Sequence, residues 1–126
     1  MAIAGAVLVT LAALLHVYIF LMESIWWTRR SIWRRFGVAS QADADTIRPM
    51  AYNQGFYNLF LAVGAALGLF LYFTGQPEPG AALVLFSTGS MVLAATVLAT
   101  SGQRYLRAAL IQGTLPLLGF VVFLLS

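Results

Sequence analysis

Two ionisable side chains lie inside the first apolar stretch of the sequence, where a membrane segment normally carries none. His16 and Glu23 stand seven residues apart in the run HVYIFLMESIWW. Seven residues make almost two helical turns, so the two side chains share one helix face and differ in depth by about 10 Å. An imidazole and a carboxylate in this arrangement can donate or accept protons in otherwise apolar surroundings. They are our candidate catalytic residues.

Further polar side chains open the second and fourth apolar runs, in the segments RPMAYNQGFYN and QRYLRAALIQ. Those that we predict to bind a ligand are Arg48, Asn53, Tyr57, Asn58, Tyr105 and Gln112. The third run offers only serine and threonine hydroxyls, which can bond to their own helix. We therefore expect a polar pocket between the first, second and fourth helices, in the half of the membrane nearest the arginines.

Four apolar runs must position these groups. They cover about 2–26, 51–73, 80–100 and 108–125, and each is close to the ~20 residues that a helix needs to cross the hydrocarbon core. Of the 126 residues, 61% are hydrophobic and 9% are charged, whereas soluble domains are about 45–50% apolar and about 25% charged. The sequence predicts an all-α integral membrane protein whose single domain, 1–126, is an antiparallel four-helix bundle with a cytoplasmic loop at 27–50.

The connections carry helix-boundary signals. The segment TGQPEPG at 74–80 contains two prolines and two glycines, which interrupt a helix. Ser40 and Asp43 have the spacing of a capping box, and Pro49 is suited to the first turn of the second helix. The GxxxG at 64–68 permits close helix packing, which we expect to be intramolecular.

All seven basic residues are arginines, and they fall in two connections only: Arg29, Arg30, Arg34, Arg35, Arg48, Arg104 and Arg107. By the positive-inside rule, both connections are cytoplasmic and both termini lie on the far side of the membrane. The tryptophans beside the first arginines are typical of an aromatic belt at this interface: Trp26, Trp27 and Trp33. We predict a multi-pass protein of the bacterial inner membrane.

The same composition excludes several classes of function. Arginines confined to two short connections indicate topology rather than a nucleic-acid-binding surface. The absence of cysteine removes disulfides and thiolate chemistry. With one histidine and no metal-binding or phosphate-binding motif, we predict neither a metal site nor a cofactor.

Over nearly its full length the chain resembles the DUF1304 family of small four-helix bacterial membrane proteins. The resemblance rests on the histidine and glutamate of the first helix, the Trp-Trp boundary and the segment RPMAYNQGFYNLFLA at 48–62. It implies the same topology and supplies no activity.

The second helix is also similar to that of the membrane-associated proteins of eicosanoid and glutathione metabolism (MAPEG). Arg48, Asn53 and the LFLA of 59–62 match that family's segment, but its acid is absent, with Phe56 or Tyr57 near the position. MAPEG proteins form trimers that hold glutathione in the cytoplasmic half of the membrane. The resemblance therefore implies glutathione as a ligand, and the missing acid counts against it.

Three functions fit these residues. The first is binding of a lipophilic or amphipathic small molecule from the bilayer, with Glu23 or His16 exchanging a proton if a reaction takes place. The second is proton-coupled export, in which Glu23 alternates between a proton and a cationic substrate. One-sided arginines require any homo-oligomer to be parallel and cyclic. The third is a structural or partner-binding subunit in which the polar residues only pack helices together. Whether the protein is an enzyme stays open.

The topology is open to cysteine labelling, because the native chain has no cysteine. We expect a membrane-impermeant maleimide to label Gln76→Cys in spheroplasts, since the second connection faces outward. Ser31→Cys should react only after the membrane is permeabilised. Labelling of Ser31→Cys in sealed spheroplasts would reverse the predicted orientation.

Overall fold

A computed structural model describes all 126 residues and contains helices without strands. In chain order the α-helices are α1 (Ala2–Phe20), α2 (Arg30–Trp33), α3 (Gln41–Phe73), α4 (Pro77–Thr100) and α5 (Leu106–Leu124). A π-helical turn, Leu21–Ile25, directly continues α1, and 3₁₀ turns cover Arg34–Phe36 and Gln103–Tyr105. The predicted all-α fold with four long helices is confirmed.

Four helical stretches are long and apolar enough to cross a membrane: Ala2–Ile25, Gln41–Phe73, Pro77–Thr100 and Gln103–Leu124. Large apolar side chains stand on their exposed faces. Phe86 is 72% exposed and Phe70 is 63% exposed, as expected for surfaces whose solvent is lipid. The protein is therefore a multi-pass membrane protein.

The second long helix starts ten residues earlier than predicted. It begins at Gln41, and its 33 residues correspond to about 50 Å. The predicted cap at Ser40 is present, because the Asp43 N–H donates to Ser40 Oγ at 3.1 Å. Pro49 consequently lies inside the helix, and its expected placement in the first turn is wrong. Hydropathy missed this first part of the helix because half of its residues are polar or charged.

The other boundaries lie within three residues of those predicted. α4 starts at Pro77, a residue whose fixed φ suits a first helical turn. The preceding connection turns at Gly75, which has a φ of 97°, a value that side chains disfavour. The helix break predicted within TGQPEPG therefore covers only its first three residues, 74–76.

The chain packs as two compact units. The larger unit comprises residues 1–15 and 61–126, and it contains segments of all four long helices. The smaller unit comprises residues 16–60. It holds the end of the first span, the whole first connection and the beginning of α3.

In the larger unit, glycines bring helix backbones into contact. A Cβ on Gly68 would lie 2.7 Å from the Val84 backbone nitrogen, and one on Gly80 would lie 2.7 Å from Tyr72 Cα. A Cβ on Gly64 would lie 2.5 Å from the Ser87 hydroxyl. Because these glycines of α3 and α4 face the opposite helix, the GxxxG motif serves intramolecular packing, as predicted.

In the smaller unit, two tryptophans predicted for the interfacial belt are buried instead. Trp27 and Trp33 are each 4% exposed and pack with Ala44 and Ala51 of α3. Trp27 Nε1 donates to the Ala44 carbonyl at 2.9 Å, and Trp33 Nε1 donates to Gln41 Oε1 at 3.3 Å. The early start of α3 supplies the surface on which these two rings pack, a role that the sequence analysis did not predict.

The backbone contact at Gly80 predicts a position-specific response to added volume. Gly80→Ala should lower the free energy of unfolding by about 1–3 kcal/mol, the usual cost of overpacking, because its Cβ would meet backbone rather than a movable side chain. Gly89→Ala in the same helix is the control, since its Cβ would lie 3.4 Å from the Phe120 ring, an ordinary contact. Equal unfolding free energies of the two variants in detergent would contradict the packing.

Candidate functional site

Glu23 lies in a π-helical turn of the first span. The turn covers Leu21–Ile25, and the Trp26 N–H donates to the Leu21 carbonyl, five residues back, at 2.8 Å. Such a turn accommodates one more residue than an α-turn and rotates the chain that follows it. π-Turns inside α-helices occur frequently at functional sites. Sequence analysis missed this feature because no residue pattern specified it.

A hydrogen bond joins this turn to α3. Asn58 Nδ2 donates to Glu23 Oε1 at 2.9 Å, and the two residues are only 8% and 6% exposed. The same Nδ2 also donates to the Gln54 carbonyl at 3.2 Å, one turn back along its own helix. Both amide hydrogens of Asn58 therefore have acceptors.

Next to this bond, α3 lies directly against the π-turn. Ser24 Oγ donates to the Tyr52 carbonyl at 2.7 Å. A Cβ on Gly55 would lie 3.1 Å from the Ser24 backbone nitrogen and would overlap its hydroxyl. The rings of Phe20 and Phe56 meet edge to face with centroids 5.0 Å apart. Glycine at 55 thus permits the close approach of α3 to the π-turn.

Two acceptor atoms of the Glu23–Asn58 pair remain available. Glu23 Oε2 and Asn58 Oδ1 take part in neither bond of the pair. Carboxylate and amide oxygens accept hydrogen bonds from hydroxyl, amine and ammonium groups. The pair can therefore receive a polar group that donates hydrogen bonds.

His16, the second candidate catalytic residue, is fully buried at 0% exposure. It belongs to the same compact unit as Glu23 and precedes the π-turn. The imidazole is thus an interior group rather than one displayed on the surface. The structure contains no group of histidine, aspartate or glutamate residues that could hold a metal ion.

Three of the predicted ligand-binding residues stand on the outer surface of α3. Arg48, Asn53 and Tyr57 are exposed, Tyr57 to 62%. Because each residue turns an α-helix by about 100°, Tyr57 points well away from its buried neighbour Asn58. Of the α3 candidates, the structure brings only Asn58 to Glu23.

The remaining two candidates belong to the larger unit. The Tyr105 ring lies under the Arg104 guanidinium at 4.6 Å, and Arg104 also donates a hydrogen bond to the Tyr105 hydroxyl. Gln112 is half-buried in α5. Among the candidate residues of the smaller unit, a hydrogen bond joins Glu23 and Asn58.

Comparison with known proteins identifies a family. The family model described as "Protein of unknown function (DUF1304)" matches residues 10–124. No curated protein and no solved structure matched the chain. The similarity to MAPEG proteins stays a prediction. Because the family match includes nearly the whole chain, with Glu23 and Asn58, the resemblance seen in the sequence is confirmed: this protein is a member of the DUF1304 family.

Proposed function

We propose that this membrane protein binds an amphipathic or lipid-like molecule whose polar group donates hydrogen bonds to Glu23 and Asn58. The observation that carries the proposal is the Glu23–Asn58 bond at the π-turn, which leaves one acceptor oxygen on each residue outside the bond. The ligand's apolar tail would lie along the exposed apolar surface of the helices, where Phe60 is 61% exposed.

The free-energy cost of placing a carboxylate in the membrane exceeds what one hydrogen bond contributes, and this comparison favours a function for Glu23 over a packing role. A carboxylate at the bilayer centre costs roughly 2.5–3.5 kcal/mol on insertion scales, and less toward the interface. Side-chain hydrogen bonds between membrane helices contribute on average only about 0.6 kcal/mol, with a maximum near 1.7 kcal/mol. Glutamine could also accept a bond from Asn58 without carrying a charge, so packing alone gives no reason for an acid.

The geometry restricts the chemical class of the ligand. Both hydrogens of the Asn58 amide are already engaged, so the pair offers acceptors and no spare donor while Glu23 is ionised. A hydroxyl, an amine or an ammonium group complements it. A phosphate or carboxylate would be repelled by Glu23. Glutathione, which carries carboxylates, is accordingly the weaker proposal, and binding of the favoured class needs no cofactor.

Export of a cationic substrate is the second candidate. It is favoured by the neutral partner of Glu23, because an amide leaves the carboxyl group able to exchange a proton for a cation. We place either activity in the bacterial inner membrane, with Glu23 in the cytoplasmic half. Any homo-oligomer would be parallel and cyclic, since the arginines orient every copy alike.

Binding is tested with a photoactivatable long-chain alkylamine added to the protein in lipid nanodiscs. We expect saturable cross-linking near Glu23, which Glu23→Gln lowers about tenfold or more. A hydrogen bond to a charged group contributes about 1.5–3 kcal/mol, and about 1.4 kcal/mol corresponds to a factor of ten. Labelled peptides and apparent affinity are measured by mass spectrometry.

Glu78→Gln is the matched control, because it removes one carboxylate from the exposed start of α4 and should leave cross-linking unchanged. A fatty-acid probe of equal chain length should label at background. Equal labelling of the Glu23→Gln variant and the native protein would refute the binding proposal. In proteoliposomes with a proton gradient, amine uptake abolished by Glu23→Gln would assign export, and binding without uptake would exclude it.

A further inference from the structure

A second group of polar side chains stands on the outside of the smaller unit. The Arg29 guanidinium lies 5.3 Å from the centre of the Trp26 ring. The Trp26 and Tyr18 rings meet edge to face at 6.3 Å, and Arg35 Nη1 donates to the Tyr18 hydroxyl at 2.8 Å. These four residues form one continuous surface, called here the arginine–aromatic cluster.

The cluster is open to its surroundings. Tyr18 is 39% exposed, both arginines are exposed, and Trp26 is half-exposed. Unlike Trp27 and Trp33, Trp26 is partly exposed, and its interfacial position stays a prediction. Tryptophan and tyrosine rings are enriched where the hydrocarbon core meets the lipid headgroups.

The position of Arg35 is the informative feature of the cluster. Its backbone lies in the 3₁₀ turn of the first connection, yet its guanidinium is hydrogen-bonded to Tyr18, a residue of the apolar first span. The side chain thus folds back onto the exposed face of that span. Because that span is long and apolar enough to cross a bilayer, a cation folded back onto its end is expected at headgroup depth.

The donors of the cluster match a phosphate group. A guanidinium has five N–H groups, and the bond to Tyr18 uses one of those on Arg35. The second guanidinium, that of Arg29, lies over the Trp26 ring, and the residue is exposed. Arginine binds phosphate through paired, charge-assisted hydrogen bonds, and phospholipid phosphates are the acceptors present at this depth.

We propose that the arginine–aromatic cluster is a binding site for the phosphate of an anionic phospholipid, formed by Arg29 and Arg35 and oriented by Trp26 and Tyr18. The occupant is a lipid because Tyr18 lies on a membrane-facing helix surface. The site differs from the Glu23 site, which presents acceptors and so binds groups that donate hydrogen bonds rather than a phosphate.

Native mass spectrometry of the full-length protein in a non-ionic detergent tests the proposal. The probes are phosphatidylglycerol, phosphatidylcholine of the same acyl chains, and inorganic phosphate. Arg35→Gln and Arg29→Gln should each lower the affinity for phosphatidylglycerol about tenfold. Arg34→Gln removes the same charge from an exposed neighbour and should lower the affinity only about twofold, since it lies outside the cluster.

Tyr18→Phe separates a formed site from general positive charge, because it removes one hydroxyl and no charge. It should lower phosphatidylglycerol affinity about threefold and leave the binding of phosphatidylcholine unchanged. The proposal is overturned if Arg34→Gln and Arg35→Gln cause equal losses while Tyr18→Phe causes none. It is also overturned if inorganic phosphate competes at the concentration of the lipid, which would indicate a free-phosphate site.

Discussion

Close contact between the π-turn and α3 is the constraint on which the smaller unit depends. Asparagine has a short side chain, so its amide reaches a carboxylate on another helix only when the two backbones nearly touch. Gly55 permits that approach, because any larger residue would overlap Ser24. The Glu23–Asn58 bond at 2.9 Å and the Ser24–Tyr52 bond at 2.7 Å both follow from it.

The first turns of α3, which precede its apolar part, pack against the first connection next to the contact between the π-turn and α3. Trp27 and Trp33 pack on Ala44 and Ala51, so the first connection is anchored rather than loose. The arginines of this connection are therefore attached to an ordered backbone. The smaller unit therefore contains two chemically opposite groups. The buried Glu23–Asn58 pair offers hydrogen-bond acceptors, and the exposed Arg35 guanidinium offers donors.

The features that the sequence could predict are those specified by neighbouring residues. Long apolar runs specify the four spans, and the Ser40 cap is a short-range pattern that the structure contains. The early start of α3 was not predicted because five of its first ten residues are polar or charged, which lowers the hydropathy there. The π-turn, the burial of Trp27 and the outward orientation of Tyr57 depend on how helices pack against one another. The spacing of residues in one sequence does not specify these features. The sequence therefore could not show that Asn58 is buried while Asn53 and Tyr57 are exposed.

The most direct test of the account is a double-mutant cycle on the free energy of unfolding in detergent, using Glu23→Ala, Asn58→Ala and the double variant. The cycle isolates the interaction between the two side chains from their other contacts. We predict a coupling of about 1–1.7 kcal/mol, at the upper end of the range for membrane helices, because the bond is buried. Additive single effects, with a coupling of about zero, would show that Glu23 and Asn58 do not interact and would contradict the account.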